Sequence, residues 1–169
     1  MEKEIVNRVA KSPLVTIDLE ELSPAGKRMG LDISAWLYEG LILREKEYRE
    51  HIQNHDWEQY QNTFVALYCG TDAIIPGWAY LLASLQLGGI ASKVHIGTPE
   101  ELESALFMDA IVHLNIEEYK EKPVIIKGCS DKNIPDNAYV QLAQRLQPIV
   151  KSIMYGEACS SVPLYKKKK

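Results

Sequence analysis

The chain has 169 residues, of which 46% are apolar and 25% charged, a composition typical of folded domains that excludes wholesale disorder. Its formal charge of −4 lacks the basic excess of nucleic-acid-binding proteins, so nucleic acid is not an expected partner. The charged N-terminus and the absence of an apolar run long enough to span a bilayer argue against a secretory signal and a membrane partner, and they predict a cytoplasmic protein.

The first predicted elements are a short N-terminal helix and a strand over residues 14–18. Further along, we expect a helix, a strand at Phe64–Tyr68, a helix at Gly77–Leu87 and a strand at Lys93–Ile96. Residues 98–101 (Thr-Pro-Glu-Glu) then carry the signals of a helix start: a Thr cap, Pro at the first helical position and Glu three residues after the cap. A strand at 123–126, a helix from about 138 to 149, a strand at 152–155 and a solvated basic tail at 166–169 complete the prediction.

Two segments of the chain are near copies of each other. YCGTDAIIPGWAY (68–80) and KGCSDKNIPDNAY (127–139) share an Asp, an Ile-Pro step and an Ala-Tyr pair at an offset of 59 residues. The same offset aligns apolar residues with apolar residues from about residue 43 onward, which predicts two pseudo-repeats, at about 38–97 and 98–156, each of helix-strand-helix-strand. We therefore expect a single α/β domain over 1–169, with a largely parallel sheet, helices on both faces and an additional N-terminal strand.

All three cysteines follow a predicted strand, the place where ligands bind in open parallel sheets. Thiolates from separate loops suit zinc or iron and need a further ligand to complete a tetrahedron. The candidate metal ligands are Cys129, Cys159, Cys69 and His55, and further site candidates are Asp72, Asp131 and Glu157. The alternatives are that the cysteines are small buried residues at tight turns, or that one of them is a reactive thiol.

The order of Gly and Cys differs between the two copies: Cys69-Gly70 in the first, Gly128-Cys129 in the second. Features that both copies keep, such as the Asp, are more typical of architecture, whereas this exchange suggests a site at which two thiols meet. No Gly-rich nucleotide motif and no serine-hydrolase motif is present, so catalytic residues are unknown.

Several motifs resemble a bacterial family of uncharacterised proteins, domain of unknown function 2480. They are the stretch at 38–46, NHDW at 54–57, KGCSDKNIP at 127–135 and SIMYGEACSSVPLYK at 152–166. The resemblance covers nearly the whole chain and implies an association with iron–sulfur cluster assembly, with Cys129 and Cys159 as the first candidates for thiolate chemistry.

Three functional hypotheses follow. The first is a transition-metal-binding or iron–sulfur-assembly accessory protein, and the second is an enzyme with Cys129 as nucleophile. The third is a non-catalytic domain that binds protein partners, with the region of Trp57 and Tyr60 as contact surface and with homo-oligomerisation open.

Overall fold

A computed structural model describes residues 13–128 and 131–168. The chain divides into two compact units: unit 1 comprises Met1–Pro24 and Leu106–Lys169, and unit 2 comprises Ala25–Ala105. Unit 2 is therefore continuous in sequence, and its residues come between the two sequence segments that form unit 1. The predicted N-terminal helix falls outside the described residues.

The described residues form seven strands and four α-helices. The strands are β1 (Val15–Ile17), β2 (Arg28–Asp32), β3 (Phe64–Tyr68), β4 (Lys93–Ile96), β5 (Pro123–Ile126), β6 (Ser152–Glu157) and β7 (Ser160–Lys166). The α-helices are α1 (Glu45–Asn54), α2 (Gly77–Leu87), α3 (Pro99–His113) and α4 (Asp136–Leu146). Short 3₁₀ helices lie at Leu19–Leu22, Ile33–Trp36, Glu58–Tyr60 and Ile116–Tyr119. No helix in the described part of the chain is long and apolar enough to cross a membrane.

Unit 2 contains a three-stranded parallel sheet in the order β2-β3-β4. Alternate residues of β3, Val65 and Leu67, point into one core cluster, because successive side chains of a strand face opposite sides of the sheet. α1 and α2 contribute buried residues to this same cluster, so both helices pack on one face of the sheet. The central contact is Tyr48, which is fully buried and donates a 2.9 Å hydrogen bond from its hydroxyl to the carbonyl of Ala79.

Unit 1 contains a four-stranded sheet in the order β1-β5-β6-β7. β1, β5 and β6 are parallel, and β7 runs antiparallel to β6 as the second arm of a hairpin. Val124 and Ile126 of β5 face a core cluster that includes Phe107 of α3 and Leu142 of α4. Burying each such side chain stabilises the unit by roughly 1.5–3 kcal/mol.

The α/β class and the parallel pairing are confirmed, and the predicted helix start of α3 is present. Thr98 N donates to Glu101 Oε2 at 2.7 Å and Glu101 N donates to Thr98 Oγ1 at 3.3 Å, a reciprocal capping box. The expectation of one sheet is wrong, because the chain from Ala25 to Ala105 forms its own sheet around its own core. Helices on both faces of a sheet are not confirmed, since successive crossovers in one direction along a sheet place their helices on the same face.

Two strands were not predicted. β2 has the sequence RMGLD, whose charged residues and Gly30 hide its strand character. β7 includes Pro163 and Lys166, so its sequence resembled a loop that leads into a basic tail. Single-domain organisation of the whole chain stays a prediction.

Candidate functional site

The predicted place for a site, the carboxyl ends of the parallel strands, carries polar side chains in both units. In unit 2, Asp32 at the end of β2 accepts hydrogen bonds from the amides of Ser34 (2.9 Å) and Gly70 (2.8 Å). Burial opposes ionisation of Asp32, but these amides together hold its pKa below the usual value. Cys69 follows β3 and is half-buried, with its Sγ 3.4 Å from Thr71 Oγ1.

In unit 1, the corresponding strand ends carry a charged cluster. Lys127, just after β5, donates to Asp18 Oδ2 at 2.6 Å, and this hydrogen bond is the main cause of the lowered pKa of Asp18. The pKa of Lys127 is raised by the same bond and by the charges of Glu20 and Glu157. Glu20 also accepts a hydrogen bond from the backbone amide of Asp131. Asp18, Glu20 and Glu157 are therefore the carboxylates that act on Lys127, and Asp131 joins this network through its backbone amide.

The structure explains why Gly occupies position 70 in unit 2. A Cβ built on Gly70 would overlap Asp32 Oδ2 and would lie 3.2 Å from Asp32 Cγ. A residue with a side chain at this position would displace the carboxylate that the Gly70 amide binds. Position 70 therefore favours glycine.

In unit 1 the neighbouring strand comes closest to Gly128, which corresponds at the 59-residue offset to position 69, one residue before Gly70. A Cβ on Gly128 would lie 3.0 Å from the ring of Tyr155 and 3.2 Å from the Cα of Gly156, both on β6. Each unit thus has its glycine where a neighbouring strand comes nearest, from β2 in unit 2 and from β6 in unit 1. Packing therefore accounts for the positions of the two glycines, and a site shared by the thiols stays a prediction.

The cysteines are not brought together as a metal centre in the described residues. Cys159 is exposed at the turn between β6 and β7, and Cys129 lies outside the described residues. Within residues 13–128 and 131–168, no group of three or more His, Cys, Asp and Glu side chains could hold a metal ion. A metal role for Cys69, Cys129, Cys159 or His55 stays a prediction.

His55 lies in an aromatic cluster of unit 2. Its ring centroid is 4.7 Å from that of Trp57 and 5.1 Å from that of Trp36, and its Nε2 is 3.2 Å from Tyr60 Oη. Burial lowers the pKa of His55, against the opposing charge of Asp56. The expected exposure of Tyr60 is wrong, because Tyr60 is only 3% exposed, and Trp57 packs against the core, donating its Nε1 to Ile52 O. A contact surface in this region stays a prediction.

An apolar groove lies between α1 and α2 on the surface of unit 2, and we call it the α1–α2 groove. It consists of two cavities of about 580 and 460 Å³ that share Glu45 and Trp78 as lining residues. Ile74 is 93% exposed and Leu85 73% exposed, values unusual for large aliphatic side chains. The apolar side chains of the groove are Leu41, Ile42, Ile74, Trp78, Leu81, Leu82 and Leu85.

One end of the groove is held by a tight turn before α1. Tyr38 pairs with Ile42 across this turn, and Thr71 Oγ1 donates to Gly40 O at 2.6 Å, which ties the turn to the loop after β3. The guanidinium carbon of Arg44 lies 3.3 Å from the centroid of the Tyr38 ring. The turn that carries Leu41 and Ile42 is thus held by a backbone bridge, a hydrogen bond to Thr71 and the contact between Arg44 and Tyr38.

The charged residues of the groove are unevenly balanced. Arg49 donates to Glu45 Oε1 at 2.9 Å and its guanidinium carbon lies 5.6 Å from the Trp78 ring centroid. Asp72 lines the other cavity and makes no ion pair within the described part of the chain. The groove therefore carries one carboxylate that no cation of the groove compensates.

At the 59-residue offset, the buried residues of α2 have apolar counterparts in α4, whereas most residues that line the groove have polar counterparts. The buried positions Ala79, Ala83 and Leu87 of α2 have the apolar counterparts Ala138, Leu142 and Leu146 in α4. The groove positions mostly have polar counterparts: Glu100 for Leu41, Glu101 for Ile42, Asn133 for Ile74, Asn137 for Trp78, Gln141 for Leu82 and Gln144 for Leu85. This difference between apolar groove residues and polar counterparts is visible in the sequence. The sequence prediction missed it because it relied on the residues that the two copies share.

Comparison with known proteins gives one result. A family model, described as protein of unknown function (DUF2480), matches residues 3–167, nearly the whole chain. No curated protein and no solved structure matches. The chain therefore belongs to the family of proteins of unknown function DUF2480.

Proposed function

We propose that this protein is a non-catalytic partner-binding protein, and that its α1–α2 groove receives an apolar segment of another protein. The observation that supports the proposal is the difference between α2 and α4. Helices that pack on a sheet in this way need one apolar face, and α4 has one, with Asn137 and Gln144 exposed on its outer side. α2 is apolar on its outer face as well, where Trp78 and Leu85 face solvent.

The physical argument is that such a surface is unfavourable unless it is covered. Soluble monomers rarely expose large contiguous apolar patches, and those that do commonly use them to bind partners. Trp78 and Arg49, which line one cavity of the groove, are also of the side-chain types that most often carry binding energy at an interface.

The experiment replaces groove residues of α2 with those of α4: Trp78→Asn, Leu82→Gln and Leu85→Gln in one triple variant. Leu82 is half-buried and also packs against the core of unit 2, so the double variant Trp78→Asn, Leu85→Gln is used where the triple variant does not fold. The residues of α4 show that such side chains are compatible with a helix packed on this kind of sheet. The matched control is Val140→Gln, because Val140 is half-exposed on α4 and is the counterpart of Leu81 at the 59-residue offset. All proteins are first checked for an unchanged far-UV circular dichroism spectrum and thermal transition.

The readout is selection from a displayed peptide library with the purified full chain. We expect peptides that bind the wild-type protein and the Val140→Gln control and that fail to bind the triple variant. The proposal is overturned if no peptide is enriched, or if the enriched peptides bind the folded triple variant as well as the wild type.

The thiol hypotheses stay proposals of lower rank. What supports them is the position of Cys69 at a strand end beside Thr71, and the polar network that surrounds Lys127 two residues before Cys129. Elemental analysis of untagged protein tests for zinc or iron, and less than about 0.1 metal ion per chain would argue against a resident site with the affinity of a structural zinc centre. Selective alkylation of one thiol near neutral pH would instead favour a nucleophilic cysteine.

We also propose that units 1 and 2 are copies of one structural unit. Support comes from the element bounds: β3 and β5 begin at 64 and 123, α2 and α4 at 77 and 136, and β4 and β6 at 93 and 152, each pair 59 residues apart. Expression of residues 25–105 alone tests this, since a complete copy should fold cooperatively by itself. A cytoplasmic location likewise stays a prediction.

A further inference from the structure

We propose that the occupant of the α1–α2 groove is an amphipathic α-helix of a partner protein, with a basic residue placed opposite Asp72. This inference rests on the proposed function and specifies the chemistry of the partner. It follows from the kind of atoms that line the groove, from its length and from its charge.

The lining favours a helix over an extended segment. The groove is formed by side chains of α1, α2, the turn before α1 and the loop before α2, and it runs alongside two helices and not along the edge of a sheet. A bound strand would find no row of backbone partners there, and its own N–H and C=O groups would be left unpaired against apolar side chains. A helix satisfies its backbone internally and presents only side chains, which is the usual way in which helical segments bind apolar grooves.

The length of the groove suits two to three helical turns. On α2, the residues Trp78, Leu81, Leu82 and Leu85 follow one another at spacings of three, one and three residues and form a continuous ridge. From Trp78 to Leu85 this ridge extends about 10 Å at 1.5 Å per residue. The second cavity continues it toward Leu41 and Ile74, because both cavities are lined by Trp78.

The charge of the groove favours a basic partner. Arg49 is paired with Glu45, whereas Asp72 makes no ion pair within the described residues. A Lys or Arg near one end of the bound helix would compensate Asp72 and would be partly shielded from salt. The same carboxylate disfavours a second copy of this chain as the occupant. A two-fold contact between grooves would add a second Asp72, and the Arg49 that it brings is already paired with Glu45.

The test uses three synthetic peptides of about 16 residues, long enough for the two to three turns required. The first has Leu at i, i+3, i+4 and i+7 and Lys at both ends. The second has the same composition with the leucine spacing scrambled, and the third has Glu in place of the terminal Lys. Binding to the full chain is measured by fluorescence anisotropy, and peptide helicity on binding by circular dichroism.

We expect the first peptide to bind at least about tenfold more tightly than the scrambled one, because scrambling moves leucines out of the groove. It should also bind about two- to fivefold more tightly than the Glu peptide, with Asp72→Asn removing most of that preference. The inference is overturned if the scrambled peptide binds equally well, if no helicity is gained, or if Asp72→Asn leaves the Lys-over-Glu preference unchanged.

The two proposals fail in distinguishable ways. Library peptides that require Trp78 and Leu85 but are extended or acidic would overturn the helical, basic occupant and leave the partner-binding function standing. If no peptide shows binding that requires Trp78 and Leu85, both the partner-binding function and the helical occupant are overturned. A concentration-dependent dimer that the triple variant abolishes, measured by light scattering, would show that a second copy is the occupant and would overturn this inference.

Discussion

Gly70→Ala should destabilise unit 2 through a single steric and electrostatic conflict. The Gly70 amide donates to Asp32 Oδ1 at 2.8 Å, and an added Cβ would overlap the other carboxylate oxygen. Displacing the carboxylate removes a hydrogen bond to a charged acceptor, which contributes about 1.5–3 kcal/mol. The reduced entropy of the unfolded chain offsets about 0.4–1 kcal/mol of that loss. The net expected cost is therefore about 1–2 kcal/mol.

The assay is urea unfolding followed by tryptophan fluorescence. All three tryptophans of the chain lie within unit 2, so the signal reports on the unit that carries the mutation. With a urea dependence of about 1–3 kcal/mol per molar, the expected midpoint falls by roughly 0.5–1 M.

Two controls make the reasoning refutable. Gly77→Ala, at the first position of α2, meets no atom within 4 Å and should be neutral or stabilising by up to about 1 kcal/mol. In an Asp32→Ala background the space beside Gly70 is open, so Gly70→Ala should then cost close to nothing. The explanation fails if Gly70→Ala is as well tolerated as Gly77→Ala, or if its cost is the same with and without the Asp32 carboxylate.

Three further predictions concern buried contacts and titrating groups. Burial raises the pKa of Tyr48 to about 12, so the unfolded state loses the hydroxyl proton of Tyr48 at a lower pH than the folded state does. The stability that protonated Tyr48 contributes is complete below pH about 10 and is lost as the pH rises toward 12. Tyr48→Phe should reduce the alkaline sensitivity of the fluorescence-detected transition, and the raised pKa values of Tyr60 and Tyr80 account for the part that stays. Near neutral pH the variant should lose about 0.5–1.5 kcal/mol for the bond to Ala79 O. An alkaline limb unchanged in the variant would contradict this. The hydrogen bond from Lys127 lowers the pKa of Asp18. Ionised Asp18 therefore contributes to the free energy of unfolding above pH about 4, and this contribution is lost as the pH falls through the lowered pKa. Asp18→Asn should flatten the acid limb of stability measured by circular dichroism, and an acid limb as steep as in the wild type would argue against the pair. Leu142→Ala, at a fully buried position of α4, should cost about 2–5 kcal/mol in urea unfolding, and a cost below 1 kcal/mol would show that the site is not well packed.

The regular elements were predictable where one local signal decided them. The β-branched run at the start of β5 and the Thr-Pro-Glu-Glu start of α3 need no distant residue to be recognised. The turn sequences that precede α2 and α4 were likewise visible because the chain contains them twice. Local signals of this kind cannot assign a strand to a sheet, which is why two sheets were predicted as one.

The candidate site was less predictable, because its determinants come from residues far apart in sequence. The need for glycine at position 70 depends on Asp32, which is 38 residues away, so the local sequence alone could not explain it. The groove was missed for a different reason. Ile74 and Leu85 look like ordinary core residues until the structure shows which face of the unit they occupy.

The position of unit 2 within the sequence of unit 1 has a consequence for synthesis. β1 leaves the ribosome long before its partner β5, since Val15 pairs with Val124. Every strand of the unit 2 sheet is available once residue 96 has been made, so this sheet can form while β1 is still an unpaired edge. The completion of unit 1 waits for a contact of large sequence separation, which slows folding and leaves Val15 and Ile17 exposed to competing partners in the interval. We therefore expect the sheet of unit 2 to form on the nascent chain before that of unit 1, because the pairing of β1 with β5 requires the chain up to Ile126.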